Sequence, residues 1–506
     1  MAETGGSATG ATGGNAEAFP LAGPLSVTAP KAHTSWLDPR WEVAAYWAFA
    51  VYAAIVILVA RGDDAIWAAW AVPPYGVAAV MVSRPRSRTR GIALLTAAFA
   101  VGAPLLLMLA QGDLAAGMAV IERSATLLVR DGTPYLPAHQ LSSWLAYDPY
   151  LPAMALFGLP SASGLQGAPG DPQVWLVLVT VAALAAGLRV LLPHSVRRCA
   201  DCRRDLLRAT AFAVACPVLA LNLAVTTTDP PVLALMLLAL SLISYPERVV
   251  PAAAALGLAC AMKPTAWLAI PVLAAMVRSR DGTRQAVVFT GTALAFVTAA
   301  TLPAAVASPV AMVQNTVLFP LGLTRHLTPA ASLTPGDLLA RLGPAGHTIA
   351  VALLLIAGLA VAVSLIVRPP RDLRAATWRL AIGLALMFAF GPAERFGYFI
   401  YPLGLAGWLL LTRRQPAAGS GAGGLWFLVR GEQQQPPDVE VHEDQHGEQH
   451  GLRAEQVRPA DDRQHRDDHV DRDGRPVCGG AEPVPGRDSS HQVAPDRAAD
   501  PEDGEG

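Results

Sequence analysis

Two carboxylates that follow an apolar stretch are the first candidates for chemistry in this sequence. Asp113 comes directly after the stretch, and Glu122 lies a short distance further along the chain. A carboxylate at the mouth of a membrane is well placed to accept a proton from a hydroxyl group, as a general base does. The alternatives are that Asp113 is a helix-end residue exposed to water and that Glu122 pairs with Arg123.

Three further turns carry charged or aromatic side chains between apolar segments. Asp229 follows three threonines, Lys263 precedes a proline, and Arg395 is followed by Tyr398. Charged groups at membrane depth cost free energy and usually mark a functional site. We expect these turns to share one site with the region after Asp113. The alternative is that each is an ordinary polar turn wetted by solvent.

The composition is that of a membrane protein. Of the 506 residues, 53% are hydrophobic and 15% are charged, whereas a soluble domain carries about 25% charged residues. The net charge of −1 gives no indication of a nucleic-acid partner. Since a spanning helix needs roughly 20 mostly apolar residues, the sequence predicts an all-α, polytopic bundle of about twelve membrane segments. The segments are 41–60, 65–83, 91–111, 174–193, 209–226, 230–246, 249–262, 265–277, 286–307, 348–367, 375–392 and 396–412.

Arginine clusters orient these segments. The clusters are Arg84–Arg90, Arg197–Arg208, Arg278–Arg284, Arg368–Arg374 and Arg413–Arg414. Because basic residues in short loops collect on the cytoplasmic side of a membrane, we expect the clusters and both termini to be cytoplasmic. The turns at Asp229, Lys263 and Arg395 then lie on the external face. This orientation requires that residues 249–277 cross twice, as a short hairpin.

Two long external loops and two polar tails complete the predicted organisation. The membrane domain, residues 41–414, contains the external loops 112–173 and 308–347. Residues 1–40 are expected to form a disordered cytoplasmic tail, and residues 415–506 a disordered low-complexity tail, because neither can bury an apolar core. The abrupt change of composition also fits a translated wrong reading frame for the C-terminal tail.

Several enzyme classes lack support in the sequence. No Walker, GxSxG, HExxH or GxGxxG motif stands in a usable setting, which argues against an ATP-driven pump, a serine hydrolase and a zinc protease. Cys199 and Cys202 form a CxxC with His194 nearby, but a zinc site needs a fourth ligand. We therefore expect neither a cofactor nor a bound metal.

The sequence resembles the integral-membrane glycosyltransferases of the GT-C fold, and among them glycosyltransferase family 87. The resemblance covers roughly residues 90–412. It rests on Arg123-Ser124-Ala125, Gly132–Tyr135 and Asp148–Pro152 in the first long loop, on Asp229 with Lys263-Pro264, and on Arg395 with Tyr398, Tyr401 and Pro402.

The resemblance implies an inverting transfer of a sugar, with mannose expected, from a polyprenyl phosphate to a glycolipid or glycan acceptor of the cell envelope. A loop carboxylate deprotonates the acceptor hydroxyl, and cationic side chains stabilise the departing lipid phosphate. Asp113 matches the base best. Glu122 is the alternative, because the residues after Asp113 lack the aromatic side chains usual in the family.

The resemblance also implies the partners and the remaining site residues. The partners are membrane lipids, the lipid-linked donor and the acceptor, with no nucleic acid, and the location is the plasma membrane. The residues expected to bind substrate are Arg123, Tyr135, Asp148, Asp229, Lys263, Arg395 and Tyr398.

A carrier or flippase for a lipid-linked substrate is the second hypothesis, and a catalytically degenerate membrane protein is the third. Carriers often have interrupted helices at matched positions in two halves, with the binding site near the bilayer midplane. Here one interrupted region is evident, at Lys263-Pro264, and most polar groups lie at the external rim. The pattern favours the enzyme.

Overall fold

The computed structural model describes residues 39–84, 89–111, 116–192, 200–225, 228–326, 334–392 and 395–412. Within these ranges the chain is helical and has no β-strand, which confirms the predicted all-α class. Of the two predicted tails, only Pro39 and Arg40, which begin the first helix, are among the described residues. Asp113 also lies outside the described residues.

Eighteen α-helices are found in the described ranges. They are α1 (Pro39–Val59), α2 (Asp63–Val82), α3 (Thr89–Ala97), α4 (Ala103–Gln111), α5 (Ala116–Asp131), α6 (Leu159–Ala162), α7 (Pro172–Leu191), α8 (Ala200–Ala215), α9 (Pro217–Ala224), α10 (Asp229–Leu242), α11 (Val249–Met262), α12 (Ala269–Asp281), α13 (Thr283–Ala307), α14 (Pro309–Val313), α15 (Pro335–Ala340), α16 (Pro344–Val367), α17 (Leu373–Phe390) and α18 (Ile400–Leu411). A π-helical turn, Ala98–Gly102, joins α3 to α4.

Local sequence signals explain where several of these helices begin. Asp171 accepts a hydrogen bond from the backbone N–H of Gln173 and caps α7, and Asp372 accepts one from Ala375 and caps α17. Such side-chain oxygens satisfy backbone donors that have no partner within the helix. Pro172 occupies the first turn of α7, where its missing N–H costs no hydrogen bond.

Seven helices in the described part of the chain are long and apolar enough to cross a membrane. They are α1, α2, the continuous α3–α4, α7, α13, α16 and α17. The pair α8 and α9, bent by 71°, would make an eighth if it forms one span. The helices α10, α11, α12 and α18 match predicted segments but have only 12 to 14 residues. The count of twelve crossings therefore stays a prediction.

The short helix α10 lies at the centre of the bundle. Twelve of its fourteen residues are buried, and it packs against α7, α11 and α18. A helix that is apolar on every side is stable only when other helices surround it, or when lipid does. Because protein covers α10, the polar residue at its first turn, Asp229, is held inside the protein.

The chain reverses direction between α11 and α12. Near one end, Lys263 pairs with Asp229 at the start of α10. At the other end, Arg280 Nη1 donates a 2.8 Å hydrogen bond to the carbonyl of Ile243, just after α10. The two helices therefore run in opposite directions, as the predicted hairpin at 249–277 requires. The residues between them, Pro264–Leu268, form a 3₁₀ helix.

A close helix contact fixes α13 against this hairpin. A Cβ added to Gly257 of α11 would lie 2.7 Å from the carbonyl oxygen of Ala293 in α13. Small residues allow helices in membranes to approach this closely. Near the start of the described chain, α1 packs on α2, and a buried ion pair between Glu42 and Arg208 joins α1 to α8.

The two predicted external loops are largely folded in the part that the structure describes. The first contains α5, which covers an amphipathic run of the sequence, followed by 3₁₀ turns at Trp144–Ala146 and Pro152–Gly158. The second contains α14, a π-helical turn at Gln314–Leu318, and α15. These loops and the turns at Lys263 and Arg395 surround one cavity.

Candidate active site

A cavity with a volume of about 500 Å³, called here the first cavity, lies among these elements. Its walls come from α5, both predicted external loops, the turn between α11 and α12, and the segment that joins α17 to α18. Asp229, Lys263, Arg395 and Tyr398 all line it. The structure thus brings four of the predicted site residues together, from three turns that are far apart in the sequence.

Asp229 and Lys263 form a buried ion pair in the cavity wall. Lys263 Nζ lies 2.5 Å from Asp229 Oδ1, and the two residues are 7% and 3% exposed. The Tyr401 hydroxyl donates to the same carboxylate oxygen at 2.7 Å, and the Thr265 hydroxyl lies 3.3 Å from Tyr401. A buried charge is tolerated when it is paired and its remaining hydrogen bonds are made. The cluster therefore keeps a cation fixed at the cavity surface.

Two aromatic rings face the same cation. Lys263 Nζ lies 4.8 Å from the centre of the Tyr398 ring and 5.7 Å from that of Tyr150. The electron-rich face of an aromatic ring attracts a cation at such distances. The ammonium group is thus held by a carboxylate and by two rings. Because Lys263 lines the cavity, a ligand in the cavity can contact it.

The first of the two predicted external loops forms one wall of the cavity, and Asp148 lies behind that wall. The Asp148 carboxylate accepts hydrogen bonds from the Ser124 hydroxyl at 2.6 Å and from the Tyr150 N–H at 2.9 Å. Its neighbours Tyr147 and Pro149 line the cavity. Burial raises the pKa of the Asp148 carboxyl to about 6, against the lowering effects of these hydrogen bonds and of Arg123.

Arg123 and Tyr135 also support this wall from behind. Arg123 donates to the carbonyls of Leu145 and Ala146 at 2.8 and 3.1 Å. The Tyr135 hydroxyl donates to the Tyr150 carbonyl at 3.0 Å. The predicted binding residues Arg123, Tyr135 and Asp148 therefore have partners within the loop, and none of them lines the cavity.

Glu122 faces a different cavity. This second cavity, of about 300 Å³, lies beside the residues that lead into α7 and includes Ser161 and Asp171. Gly117 and Val120 of the same helix, α5, line the first cavity. Partial burial raises the pKa of Glu122, and the nearby charge of Asp171 raises it further, while a hydrogen bond with Ser161 opposes both. The structure thus separates Glu122 from Lys263.

The other candidate base, Asp113, lies outside the described residues, and so does Glu394. Asp113 precedes α5 by three residues in the sequence, and Gly117 of α5 lines the first cavity. The assignment of the base to Asp113 stays a prediction from the sequence.

Residues 149–392 match the model of glycosyltransferase family 87. This segment is a family 87 glycosyltransferase domain. It contains Asp229 and Lys263, together with the hairpin that carries Lys263. No curated protein and no solved structure matches the chain at a significant level. With its apolar helices, the chain is a membrane glycosyltransferase.

Several residues that line the first cavity, or contact residues that line it, were absent from the predicted site. Tyr401 bonds to Asp229, Thr265 lies near Tyr401, and Phe319 stacks on Tyr147 with 4.4 Å between ring centres. The sequence held a signal for two of them, because Tyr401 follows Tyr398 by one helical turn and Thr265 follows Lys263-Pro264. It held none for Phe319, which lies in a loop without periodicity.

Among the residues with described positions, no three His, Cys, Asp or Glu side chains group closely enough to hold a metal ion. The charged residues in the described lining of the first cavity are Asp229, Lys263 and Arg395.

Proposed function

We propose that this protein transfers mannose from a polyprenyl-phosphate donor to a glycolipid or glycan of the cell envelope, at the external face of the plasma membrane. The observation that carries the proposal is the first cavity, where two cationic side chains, Lys263 and Arg395, meet aromatic and apolar walls. The family 87 match supports the transfer of a sugar.

The cations suit a phosphate that leaves with its lipid. When the bond between sugar and phosphate breaks, negative charge develops on the phosphate oxygen. Fixed cations that face this oxygen lower the free energy of the transition state. Lys263 is held by Asp229 and by two rings, so it needs little rearrangement as the charge develops.

The aromatic and apolar surfaces suit the other parts of the substrate. Trp144, Tyr147 and Tyr150 of the first loop line the cavity, and so do Phe319 and Leu321 of the second. Aromatic rings pack on apolar groups and leave a polar edge for hydrogen bonds. In this proposal Asp113 removes the proton from the acceptor hydroxyl, as the resemblance to the family implies.

The test is sugar transfer in membranes. Labelled polyprenyl-phosphate mannose is supplied to membranes that contain wild-type protein, Lys263→Met or Arg395→Met at matched abundance. We expect labelled product with the wild type and its loss in both variants, because the leaving phosphate loses a cation. Glu122→Gln is the matched control, since Glu122 faces the second cavity.

Two results would contradict the proposal. Transfer from a different lipid-linked sugar, with none from mannose, would replace the donor and keep the enzyme class. Movement of the lipid donor across protein-containing vesicles without any transfer would favour the carrier hypothesis.

A further inference from the structure

Asn315 lies behind the first cavity, at the place where the two external loops meet. It is fully buried and does not line the cavity. Its Oδ1 accepts a 2.7 Å hydrogen bond from the backbone N–H of Asp148, and its Nδ2 donates a 2.8 Å bond to the carbonyl of Ala311. The side chain therefore ties the second loop to the first with one end and to its own helix with the other.

On the side of the first loop, this bond fixes residues that line the cavity. Asp148 stands between Tyr147 and Pro149, which both line it. The Asp148 carboxylate is bonded in turn to Ser124 of α5 and to the N–H of Tyr150. A bond to the Asp148 backbone therefore sets the position of the loop relative to α5.

On the side of the second loop, Asn315 belongs to the π-helical turn Gln314–Leu318. The turn is closed by a 3.0 Å bond from the Phe319 N–H to the Gln314 carbonyl. Two residues close to Asn315 in the sequence line the cavity, namely the adjacent Thr316 and, four residues after Asn315, Phe319. Single π-helical turns within helices are rare and are frequent at functional sites.

We propose that Asn315 is a positioning residue for sugar transfer, because it holds the two external loops in one arrangement as adjoining walls of the cavity. It acts through Asp148 on the wall formed by the first loop and through Phe319 on the wall formed by the second. The two walls are in contact where the Phe319 ring stacks on Tyr147. The role in transfer rests on the proposed function.

An apolar residue of similar size cannot replace this amide. Leucine would fill the volume, but the N–H of Asp148 would lose its acceptor in a buried place. An unpaired buried donor is costly, so the loop is expected to move until water reaches it. The two loops would then change position relative to each other, while the helices of the bundle stay folded.

The first test separates substrate positioning from general stability. In purified protein, Asn315→Leu is expected to raise the KM for the lipid-linked donor by about tenfold or more, since a displacement of about 1 Å can cost 100-fold in efficiency. Gln314→Ala is the matched control in the same turn, because the Gln314 Oε1 is buried without a hydrogen-bond partner among the described residues. A lower amount of active protein with an unchanged donor KM would overturn the proposal.

The second test needs no substrate. Spin labels are placed at Ser142→Cys and Leu323→Cys, one exposed position on each loop, after the five native cysteines have been replaced by alanine. We expect one narrow distance distribution in the parent and in Gln314→Ala, and a broad one in Asn315→Leu. Equal narrow distributions in all three would overturn the proposal. If the parent transfers no sugar, the proposed function fails, while the distances still decide whether Asn315 joins the loops.

Discussion

Two cavities lie on different faces of α5, and they differ in the charges that line them. The first is lined by Lys263, Arg395 and Asp229, whereas the described lining of the second contains the carboxylates Glu122 and Asp171 and no Lys, Arg or His. A phosphate would be attracted to the first and repelled by the second. Val120 and Glu122 are two residues apart, about 200° around the axis of α5, and they therefore lie in opposite electrostatic environments.

This contrast favours Asp113 over Glu122 as the base, and a pair of substitutions tests it. Asp113→Asn is expected to lower the rate of sugar transfer by roughly 100-fold to 10,000-fold, which is the usual contribution of a general base. Glu122→Gln is expected to leave the rate close to that of the wild type. Both are measured as product formed per unit of protein in membranes. The opposite ranking would move the reaction to the second cavity.

Lys263 has two roles that substitutions can separate: it supplies positive charge to the first cavity, and its ion pair with Asp229 stabilises the fold. Lys263→Met leaves Asp229 buried without its partner, so we expect a loss of about 3–5 kcal/mol in the free energy of unfolding, together with the loss of transfer. The double variant Lys263→Met with Asp229→Leu removes both charges. It should regain most of the melting temperature in detergent and none of the activity. Activity in the double variant would show that the cation is dispensable.

Each cavity also has a nearby carboxyl whose pKa is raised by burial, and the deeper one should have the larger effect on stability. Asp148 has a folded-state pKa of about 6 against an ordinary value of 3.8, so its protonated form favours the folded state. Its stabilising contribution is complete below about pH 4 and is lost as the pH rises through about 6.

Asp148→Asn should therefore be more stable than the wild type at pH 7.5, by roughly 2–3 kcal/mol. The difference should close as the pH falls to 4. Glu122→Gln should show a smaller gain with the same sign, because Glu122 is only partly buried. Melting temperatures across this pH range test both, and an equal gain for the two variants would contradict the difference in burial.

The smallest expected effect concerns the ring over the cation of the first cavity. Tyr398→Leu removes the ring 4.8 Å from Lys263 Nζ and should lower kcat/KM about tenfold, as expected for an interaction of roughly 1–2 kcal/mol. Tyr398→Phe keeps the ring and should retain most of the activity. The comparison uses initial rates over a range of donor concentrations, and equal losses in the two variants would assign the effect to the hydroxyl.

The sequence allowed the helices and the meeting of distant turns to be predicted, because both follow from strong local signals. Long apolar segments predict helices, and the few charges between them mark the turns that carry Asp229, Lys263 and Arg395. The roles within the first loop were harder to predict. The sequence could not show whether the polar residues of this loop bind substrate or support the loop, and these residues are Arg123, Tyr135 and Asp148. Only their hydrogen bonds to Leu145, Tyr150 and Ser124 show that they support the loop and do not line the cavity.

The contact of Asn315 with Asp148 could not be predicted for a related reason. The two residues are 167 positions apart, in loops that have no repeating apolar pattern. Loop conformation depends on tertiary contacts, and a π-helical turn has no recognised sequence signal to place its side chains.

The burial of the Asp229–Lys263 pair has a consequence for how the protein is made. The two residues are 34 positions apart, so α10 is synthesised with its carboxylate well before the lysine that neutralises it. Asp229 is buried in the folded bundle, and a buried charge without its partner costs free energy. We therefore expect α10 to stay near the insertion machinery, or to pack on α7, until the hairpin of α11 and α12 follows. Substitutions at Lys263 would then reduce the yield of inserted protein as well as its activity.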